Sequence, residues 1–186
     1  MDRLLVRALR VFMSRKMIIT GTTCTGKTTL GKKVSKELSI MQVDLDEYHF
    51  LPNWVEKERD QFVQDVLNTI KDQKDWIITG NYQSIFKDTL FQKATTIVWL
   101  DYPLGIILTR YFKRTYRRVV HREKCCGENY ETLGRTFSKD SLFLWIFKSY
   151  WRRKERMKRW MKDDLKEKEW IVFTHPKQAT KYLAQL

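Results

Sequence analysis

The chain has 186 residues, 42% of them hydrophobic and 13% aromatic, and this composition excludes an intrinsically disordered protein. The length predicts a single domain with a proper hydrophobic core. Thirty-six basic residues against 22 acidic ones give a formal net charge of +14, which predicts attraction to nucleotides, nucleic acid or an anionic membrane surface without choosing among them.

Three cysteines, Cys24, Cys125 and Cys126, form no CxxC pair and provide no disulfide framework, so we expect a reducing, cytoplasmic environment. The three histidines are far apart in the sequence and predict no structural zinc site. No apolar run reaches the roughly 18 residues that a membrane-spanning helix needs, so we expect no transmembrane segment.

Residues 1–15 predict a basic amphipathic helix, with Leu5, Leu9 and Phe12 on one face and arginines around the rest. The segment lacks the long apolar stretch of a signal peptide. We expect an extra helix packed on the domain, or an upstream start before Met17; a membrane-surface or targeting segment is the less favoured interpretation. A single domain over residues 16–186 should follow.

A glycine-bounded loop follows the apolar run at 17–20 and leads into a predicted helix. Its sequence matches GxxxxGK[ST], the loop whose backbone N–H groups and helix N-terminus bind phosphate, with Lys27 reaching the outer phosphates and the Thr28 hydroxyl ligating Mg2+. The motif predicts binding of a nucleoside triphosphate, with ATP and Mg2+ as cofactors. The residues expected to hold the nucleotide here are Gly21, Thr22, Thr23, Cys24, Thr25, Gly26, Lys27, Thr28 and Thr29.

Alternating strands and helices follow, and they predict a three-layer α/β domain. The predicted strands are 40–44, 76–79, 96–101 and 170–173, and the predicted helices are 27–38, 54–71, a long one from Pro103, and a C-terminal one. Asn53 with Glu56 three residues later is typical of an N-cap for the second of these helices.

Acidic residues end two of the strands, at Asp44-Leu45-Asp46 and at Asp101. The period-two spacing of Asp44 and Asp46 predicts that both lie at the carboxyl edge of a parallel sheet, where ligands of such sheets bind. Either Asp44 or Asp101 could join Thr28 as a Mg2+ ligand, and the sequence does not decide between them.

Two strongly basic segments occupy the second half of the chain. The first runs from Arg110 to Lys124 with Glu123 as its one acid, and the second runs from Lys148 to Lys162 with Glu155 as its one acid. For the second we favour a solvated helix face. The first follows the Asp101 strand, where arginines on a mobile arm can neutralise a transferring phosphoryl group, so we expect a basic lid at about 115–140, with a loop at 125–130 acting as a flap.

The combined features resemble an adenylate-kinase-like family of P-loop NTPases, whose members are usually labelled DNA topology modulation proteins. The resemblance covers about residues 16–186 and implies phosphoryl transfer on a five-stranded parallel sheet of order 2-3-1-4-5 with a helical basic lid. It is carried by the phosphate loop, the region 45–54, Gly80-Asn81-Tyr82, the strand end at 99–103 and the arginine-rich helix that follows.

The resemblance also implies roles for individual residues. Arg110 lies where nucleoside monophosphate kinases place an arginine against adenine, and Arg114 where they place one against the phosphates. Lys177 belongs to a segment where the same kinases hold the adenine edge with backbone groups. In similar small-molecule kinases such as shikimate kinase, the acid matching Asp44 helps to hold Mg2+ and the acid matching Asp46 contacts the acceptor hydroxyl.

The function expected from the sequence is transfer of the ATP γ-phosphoryl group to a small-molecule or nucleotide acceptor, with Lys27, Asp46 and Arg114 as catalytic residues. Asp46 would orient or deprotonate an acceptor hydroxyl, although a capping or turn aspartate is the alternative. The acceptor is expected to contact Asp46, Gly80, Asn81, Tyr82, Arg117 and Arg118.

Two other classes remain open on the sequence alone. Aromatic residues interleave with the basic segments, which suits a nucleic-acid-associated ATPase with nonspecific nucleic-acid binding, although such residues more often pack a helix onto its neighbour. These residues are Tyr111, Phe112, Tyr116, Tyr150, Trp151 and Trp160. The other class is a regulatory nucleotide-binding module without turnover.

Overall fold

The computed structural model describes residues 15–121, 124–125, 129–130 and 142–186. The predicted helix at 1–15 therefore lies almost wholly outside the described residues, as does much of the predicted lid at 115–140.

A five-stranded parallel sheet forms the centre of the fold. The strands in chain order are β1 (Lys16–Gly21), β2 (Gln42–Asp44), β3 (Trp76–Thr79), β4 (Thr96–Leu100), β5 (Lys124–Cys125), β6 (Asn129–Tyr130) and β7 (Glu169–Phe173). The sheet has the order β2-β3-β1-β4-β7, while β5 and β6 form a separate antiparallel pair. The expected order 2-3-1-4-5 numbers only the five strands of this sheet. Because β5 and β6 come between β4 and the last sheet strand, that strand is the seventh in the chain.

Helices connect the strands and cover the sheet. They are α1 (Lys27–Leu38), α2 (Leu45–His49), α3 (Arg59–Ile70), α4 (Gln83–Phe86), α5 (Leu104–Val120), α6 (Leu142–Arg159) and α7 (Pro176–Leu183). A short 3-10 turn lies at Pro52–Trp54, and π-helical turns lie at Lys87–Phe91 and Trp160–Asp164.

Alternate residues of each strand enter two separate hydrophobic cores, one on each face of the sheet. Ile18 of β1 packs with Phe62 and Val66 of α3, whereas its neighbour Ile19 packs on the other face with Val34 of α1. Both faces are therefore covered, which explains why the strands are apolar throughout. The predicted three-layer α/β fold is confirmed.

The parallel arrangement gathers the carboxyl ends of all five strands at one edge. Gly21 is the last residue of β1, Asp44 is the last residue of β2, and Asp101 comes directly after β4. The strands are in register there, since Ile18 of β1 pairs with Ile78 of β3 and with Ile97 of β4. Ligands of open α/β sheets bind outside this edge. The fold thus places the predicted site residues within reach of one another.

The helix expected at 54–71 begins only at Arg59, so the predicted N-cap at Asn53 is wrong. Asn53 and Trp54 both have left-handed backbone conformations, with φ values of 62° and 61°. The Leu51 N–H donates to the Val55 carbonyl over 2.8 Å and closes a turn around them. Asparagine tolerates the left-handed region, and here the turn prevails over the helix.

The period-two spacing of Asp44 and Asp46 does not continue along a strand. β2 ends at Asp44, and α2 starts at the next residue. The Asp44 side chain caps this helix by accepting a hydrogen bond from the Asp46 N–H over 3.2 Å. The loop expected at 125–130 likewise contains strand pairing, between Cys125 and Asn129.

Among the described residues, no helix is both long and apolar enough to cross a bilayer.

Gly31 on α1 packs tightly against β3, and a Cβ atom there would overlap the Thr79 methyl group. We expect Gly31→Ala to lower the free energy of unfolding, measured by urea denaturation, by about 1–2 kcal/mol, because overpacking outweighs the better helix propensity of alanine. Gly105→Ala is the matched control, since a Cβ there meets nothing within 4 Å. It should be neutral or stabilising by up to about 1 kcal/mol. Equal effects at both positions would contradict the tight contact.

Candidate active site

The loop between β1 and α1 forms a compact turn in front of the α1 N-terminus. Gly26 immediately precedes the helix with φ of 93°, a left-handed conformation that glycine adopts without steric cost. The Thr25 hydroxyl donates to the Thr22 carbonyl over 2.8 Å and holds the turn closed. Thr23 and Cys24 are half-buried, and Thr29 is exposed. The closed turn therefore lies directly before the backbone N–H groups at the start of α1, the arrangement that anion binding uses.

Lys27 reaches back over this loop. Its Nζ donates to the Gly21 carbonyl over 3.0 Å and to the Thr22 carbonyl over 3.2 Å. Part of the side chain is exposed, but the ammonium group lies deep among protein atoms, and this burial lowers the pKa of Lys27 to about 8. The negative charge of Asp46 opposes the change in pKa, and the positive charge of Arg153 adds to it.

Thr28 and Asp44 are brought into direct contact. The Thr28 hydroxyl donates to Asp44 Oδ2 over 2.7 Å, and the aspartate side chain is buried. Burial, with the neighbouring charge of Asp46 as a smaller cause, raises the pKa of Asp44. A hydroxyl and a carboxylate oxygen thus lie side by side at the N-terminus of α1, and oxygen is the ligand type that Mg2+ prefers.

Asp101, the other acid considered for the metal, has a different partner. Its Oδ2 forms an ion pair with Lys154 Nζ of α6 over 2.9 Å. The structure therefore gives Thr28 an acidic neighbour in Asp44, and Asp101 a basic one. A metal-binding role of Asp101 stays a prediction.

The turn after β3 supplies two of the expected acceptor residues, with different surroundings. The Tyr82 hydroxyl donates to Asp46 Oδ1 over 2.9 Å. Asn81 instead faces the phosphate loop, where its Oδ1 accepts from the Gly21 N–H over 3.4 Å. Gly80 begins the turn that carries both side chains. Asp46 and Tyr82 thus form a hydrogen-bonded pair, while Asn81 is hydrogen-bonded to the phosphate loop.

Arg110 contacts the phosphate loop directly. Its Nη1 donates to the Thr25 carbonyl over 2.7 Å, and its guanidinium lies 5.4 Å from the centre of the Tyr102 ring. Arg114 follows one helical turn later on α5 and is half-buried. Residues four positions apart share a helix face, so Arg114 lies on the face of α5 from which Arg110 reaches the phosphate loop.

The remaining predicted residues lie near the ends of two helices. Arg117 is exposed and Arg118 is half-buried near the C-terminus of α5. Lys177 is exposed in the first turn of α7, where its N–H donates to His175 Nδ1 over 3.2 Å as part of the helix cap. The expected roles of these three side chains stay predictions.

Arg153 of α6 is a candidate site residue that the sequence interpretation missed, because the second basic segment was expected to be a solvated face. Burial is the main cause that lowers its pKa to about 10, and the charges of Asp46 and Tyr82 oppose that change. Nη1 of Arg153 is buried and has no hydrogen-bond partner among the described residues. The guanidinium lies 5.1 Å from the centre of the Trp145 ring.

A signal for Arg153 was present in the sequence. Ile146, Tyr150 and Met157 are buried on α6, and Arg153 lies on the same helical stripe between them. A basic residue inside an apolar stripe is typical of a partly buried cation rather than of a solvated face. Neighbouring Arg152 is exposed, as expected.

A clasp joins the β5–β6 pair to the 3-10 turn beside α2. Asn129 is buried; its Oδ1 accepts from the Trp54 N–H over 2.8 Å, and its Nδ2 donates to the Leu51 carbonyl over 3.1 Å. Trp54 Nε1 donates in return to the Tyr130 carbonyl over 3.1 Å. The described part of the lid region thus contacts the loop that follows Asp46.

Comparison with known proteins places this geometry in a family. The chain matches the family described as AAA domain over residues 17–135. No significant match was found among curated protein sequences.

Several solved kinase structures have a similar fold. Shikimate kinase from Acinetobacter baumannii in complex with shikimate superimposes with a TM-score of 0.59 at 14% identity, covering 94% of this chain and 90% of that one. A gluconokinase from Sinorhizobium meliloti 1021 gives 0.54 at 12% identity, with 93% of each chain covered. Shikimate kinase from Bacteroides thetaiotaomicron gives 0.53 at 16%, covering 91% and 94%. At identities this low, the structural similarity shows that the folds are alike and nothing more.

Proposed function

Since the chain belongs to the P-loop family described as AAA domain, we propose that it is an ATP-dependent kinase that transfers a phosphoryl group to a small hydroxyl-bearing acceptor. The observation that carries this proposal is the pair of carboxylates beside the phosphate loop. Thr28 of the loop donates to Asp44 over 2.7 Å, and Asp46, two residues later, accepts from Tyr82 over 2.9 Å. Phosphoryl transfer uses such groups to hold Mg2+ and to position an acceptor.

The donor half of the site would hold ATP. The loop from Gly21 to Thr29 and the α1 N-terminus would bind the phosphates, with Lys27 leaving its carbonyl partners for the outer phosphates. The Arg110 bond to Thr25 supports a place for this arginine beside the nucleotide. Lys177 would lie toward the adenine edge, as the family resemblance implies.

Mg2+ would be held by Thr28 and Asp44. Their oxygens already lie 2.7 Å apart, and the pair with Lys154 makes Asp101 the less suitable ligand. Within the described ranges, no group of three or more His, Cys, Asp or Glu residues could hold a metal ion. Mg2+ commonly takes one or two protein ligands and completes its shell with phosphates and water, so Thr28 and Asp44 would be enough. When bound, the ion would neutralise charge on the transferring group.

The acceptor half would be built from Asp46 and Tyr82. The tyrosine hydroxyl fixes one carboxylate oxygen of Asp46 over 2.9 Å, which leaves the other oxygen to orient or deprotonate an acceptor hydroxyl. A capping aspartate, the alternative from the sequence, would not need this partner, and the capping side chain at α2 is Asp44. Arg153 and Arg114 would stabilise negative charge on the phosphoryl group.

The direct test is a screen of hydroxylated acids, sugars, nucleosides and nucleoside monophosphates with ATP and Mg2+. We expect one class to be phosphorylated, and Lys27→Ala to abolish the reaction because the outer phosphates lose their cation. Lys32→Ala removes the same charge from an exposed position of α1 and should be active. Slow ATP hydrolysis without any phosphorylated acceptor would contradict the kinase assignment.

Arg153 should matter for turnover more than for nucleotide affinity. We expect Arg153→Met to lower kcat by about 10²–10³, the usual effect of losing one group that stabilises transition-state charge. Arg159→Met, on the same helix but with 66% of its side chain exposed, should change kcat little. Turnover measurements with the acceptor found above, beside ATP affinity by calorimetry, separate the two effects. Equal losses in both variants would remove Arg153 from the site.

Nucleotide binding should be coupled to protonation of Lys27. With a pKa of about 8, this lysine is partly neutral in the free protein at mildly alkaline pH, and a bound polyanion favours its charged form. We therefore expect proton uptake on ATP binding at about pH 8.5, and affinity that falls as pH rises through about 8. Calorimetry in two buffers of different ionisation enthalpy measures the uptake. Lys27→Met should bind without it; uptake retained in this variant would assign the proton elsewhere.

A further inference from the structure

A stripe of exposed apolar side chains runs along the outer face of α5. Phe112, Tyr116 and Val120 follow one another at intervals of four residues, so they share one face of the helix. They are 57%, 69% and 53% exposed. Scattered exposed apolar residues are ordinary, whereas three aligned ones form a surface.

The stripe continues onto α6 through two half-buried rings. The Phe112 ring lies 5.9 Å from the Phe143 ring, which lies 5.1 Å from the Phe147 ring. Trp151, one turn later, is 57% exposed. We call this set the aromatic stripe; it consists of Val120, Tyr116, Phe112, Phe143, Phe147 and Trp151.

The two helices run antiparallel beneath the stripe. Tyr150 of α6 donates its hydroxyl to the Tyr102 carbonyl near the start of α5, over 3.3 Å. Near the start of α6, Phe143 contacts Tyr111 with 5.9 Å between the ring centres. Val120 and Trp151 therefore mark opposite ends of one continuous surface.

Basic side chains flank this surface along its whole length. Lys113 and Arg117 follow Phe112 and Tyr116 on α5, and Lys148 and Arg152 follow Phe147 and Trp151 on α6; all four are exposed. The one acid on these two helices, Glu155, lies 3.1 Å from Lys158 and is paired with it. The surface is thus apolar along its middle and positively charged at its margins.

We propose that the aromatic stripe and its basic margins dock on an anionic lipid surface. Apolar rings would enter the interface while lysine and arginine side chains reach the acidic headgroups, the arrangement of peripheral membrane-binding helices. The chain's net charge of +14 adds long-range attraction to such a surface.

The charge and the ring geometry favour lipid over other partners. A second copy of the chain would bring two positively charged surfaces together, which is unfavourable. Stacking of bases needs open ring faces, but Phe143 meets Phe112 at 46° and Phe147 at 66°, so these rings pack against one another. Val120 has no ring at all. A lipid interface accepts aliphatic and aromatic groups in any orientation.

Docking through this face is independent of the proposed kinase activity. Arg110 and Arg114 lie two residues from Phe112, about 200° around the helix, so they point away from the stripe. The nucleotide site therefore stays open when the outer face is covered. Arg117, a candidate acceptor residue from the sequence, is left unchanged in the test.

The test is vesicle co-sedimentation of the full chain, with phosphatidylcholine alone and with phosphatidylcholine mixed with phosphatidylglycerol. We expect binding only to the mixed vesicles, and weaker binding at high salt. Phe112→Ser with Tyr116→Ser should weaken it by at least about tenfold without a change in charge. Lys148→Gln with Arg152→Gln should weaken it about fivefold per residue. Lys32→Gln with Lys33→Gln, the same charge change on exposed positions of α1, should have little effect.

Three outcomes would overturn the proposal. One is equal binding by the wild type and the Phe112/Tyr116 variant, which would leave only general charge attraction. Another is absence of binding to the mixed vesicles. The third is tighter binding of a single-stranded oligonucleotide that depends on the same side chains, which would make the face a nucleic-acid surface. Unchanged thermal unfolding and ATP binding by each variant verify that it is folded.

Discussion

The positive charge of Lys27, set deep at the carboxyl edge of the sheet, constrains everything around it. A buried cation is costly unless carbonyls and acids surround it. Here the Gly21 and Thr22 carbonyls accept its hydrogen bonds, and Asp46 supplies the largest favourable charge. The segments that follow β1 and β2 must therefore lie close together. The arrangement that makes the lysine tolerable in the free protein also holds a cation where the phosphates of a nucleotide would bind.

What the sequence predicts well is local. The phosphate loop, α1 and the five sheet strands each depend on a few consecutive residues, and all were located. The clasp at Asn129 could not be predicted, because it joins residues 75 positions apart in the chain. Arg153 lies between these cases: its place on a buried stripe was visible, but the neighbours that it would meet were not. The Asp44–Asp46 segment failed for a local reason, since helix capping prevailed over strand alternation.

One helix serves two surfaces. On α5, Arg110 turns inward to the phosphate loop, while Phe112 turns outward into solvent. The helical period alone separates these faces, so a dense mixture of basic and aromatic residues in the sequence resolves into two chemically distinct sides. The same holds for α6, where Arg153 is partly buried and its neighbour Arg152 is exposed to solvent. A high net charge can thus serve different tasks on opposite sides of the same helices.

The clasp between the 3-10 turn and the β5–β6 pair includes a residue with a strained backbone. Trp54 is a bulky residue in the left-handed region, a conformation that stores on the order of 1–3 kcal/mol. Trp54 donates two hydrogen bonds, to Asn129 and Tyr130, and Asn129 donates a third to the Leu51 carbonyl; such bonds contribute about 0.5–1.5 kcal/mol each. The strain and the hydrogen bonds are of similar size, so the strained turn joins the loop after Asp46 to the β5–β6 pair at a small net gain in free energy.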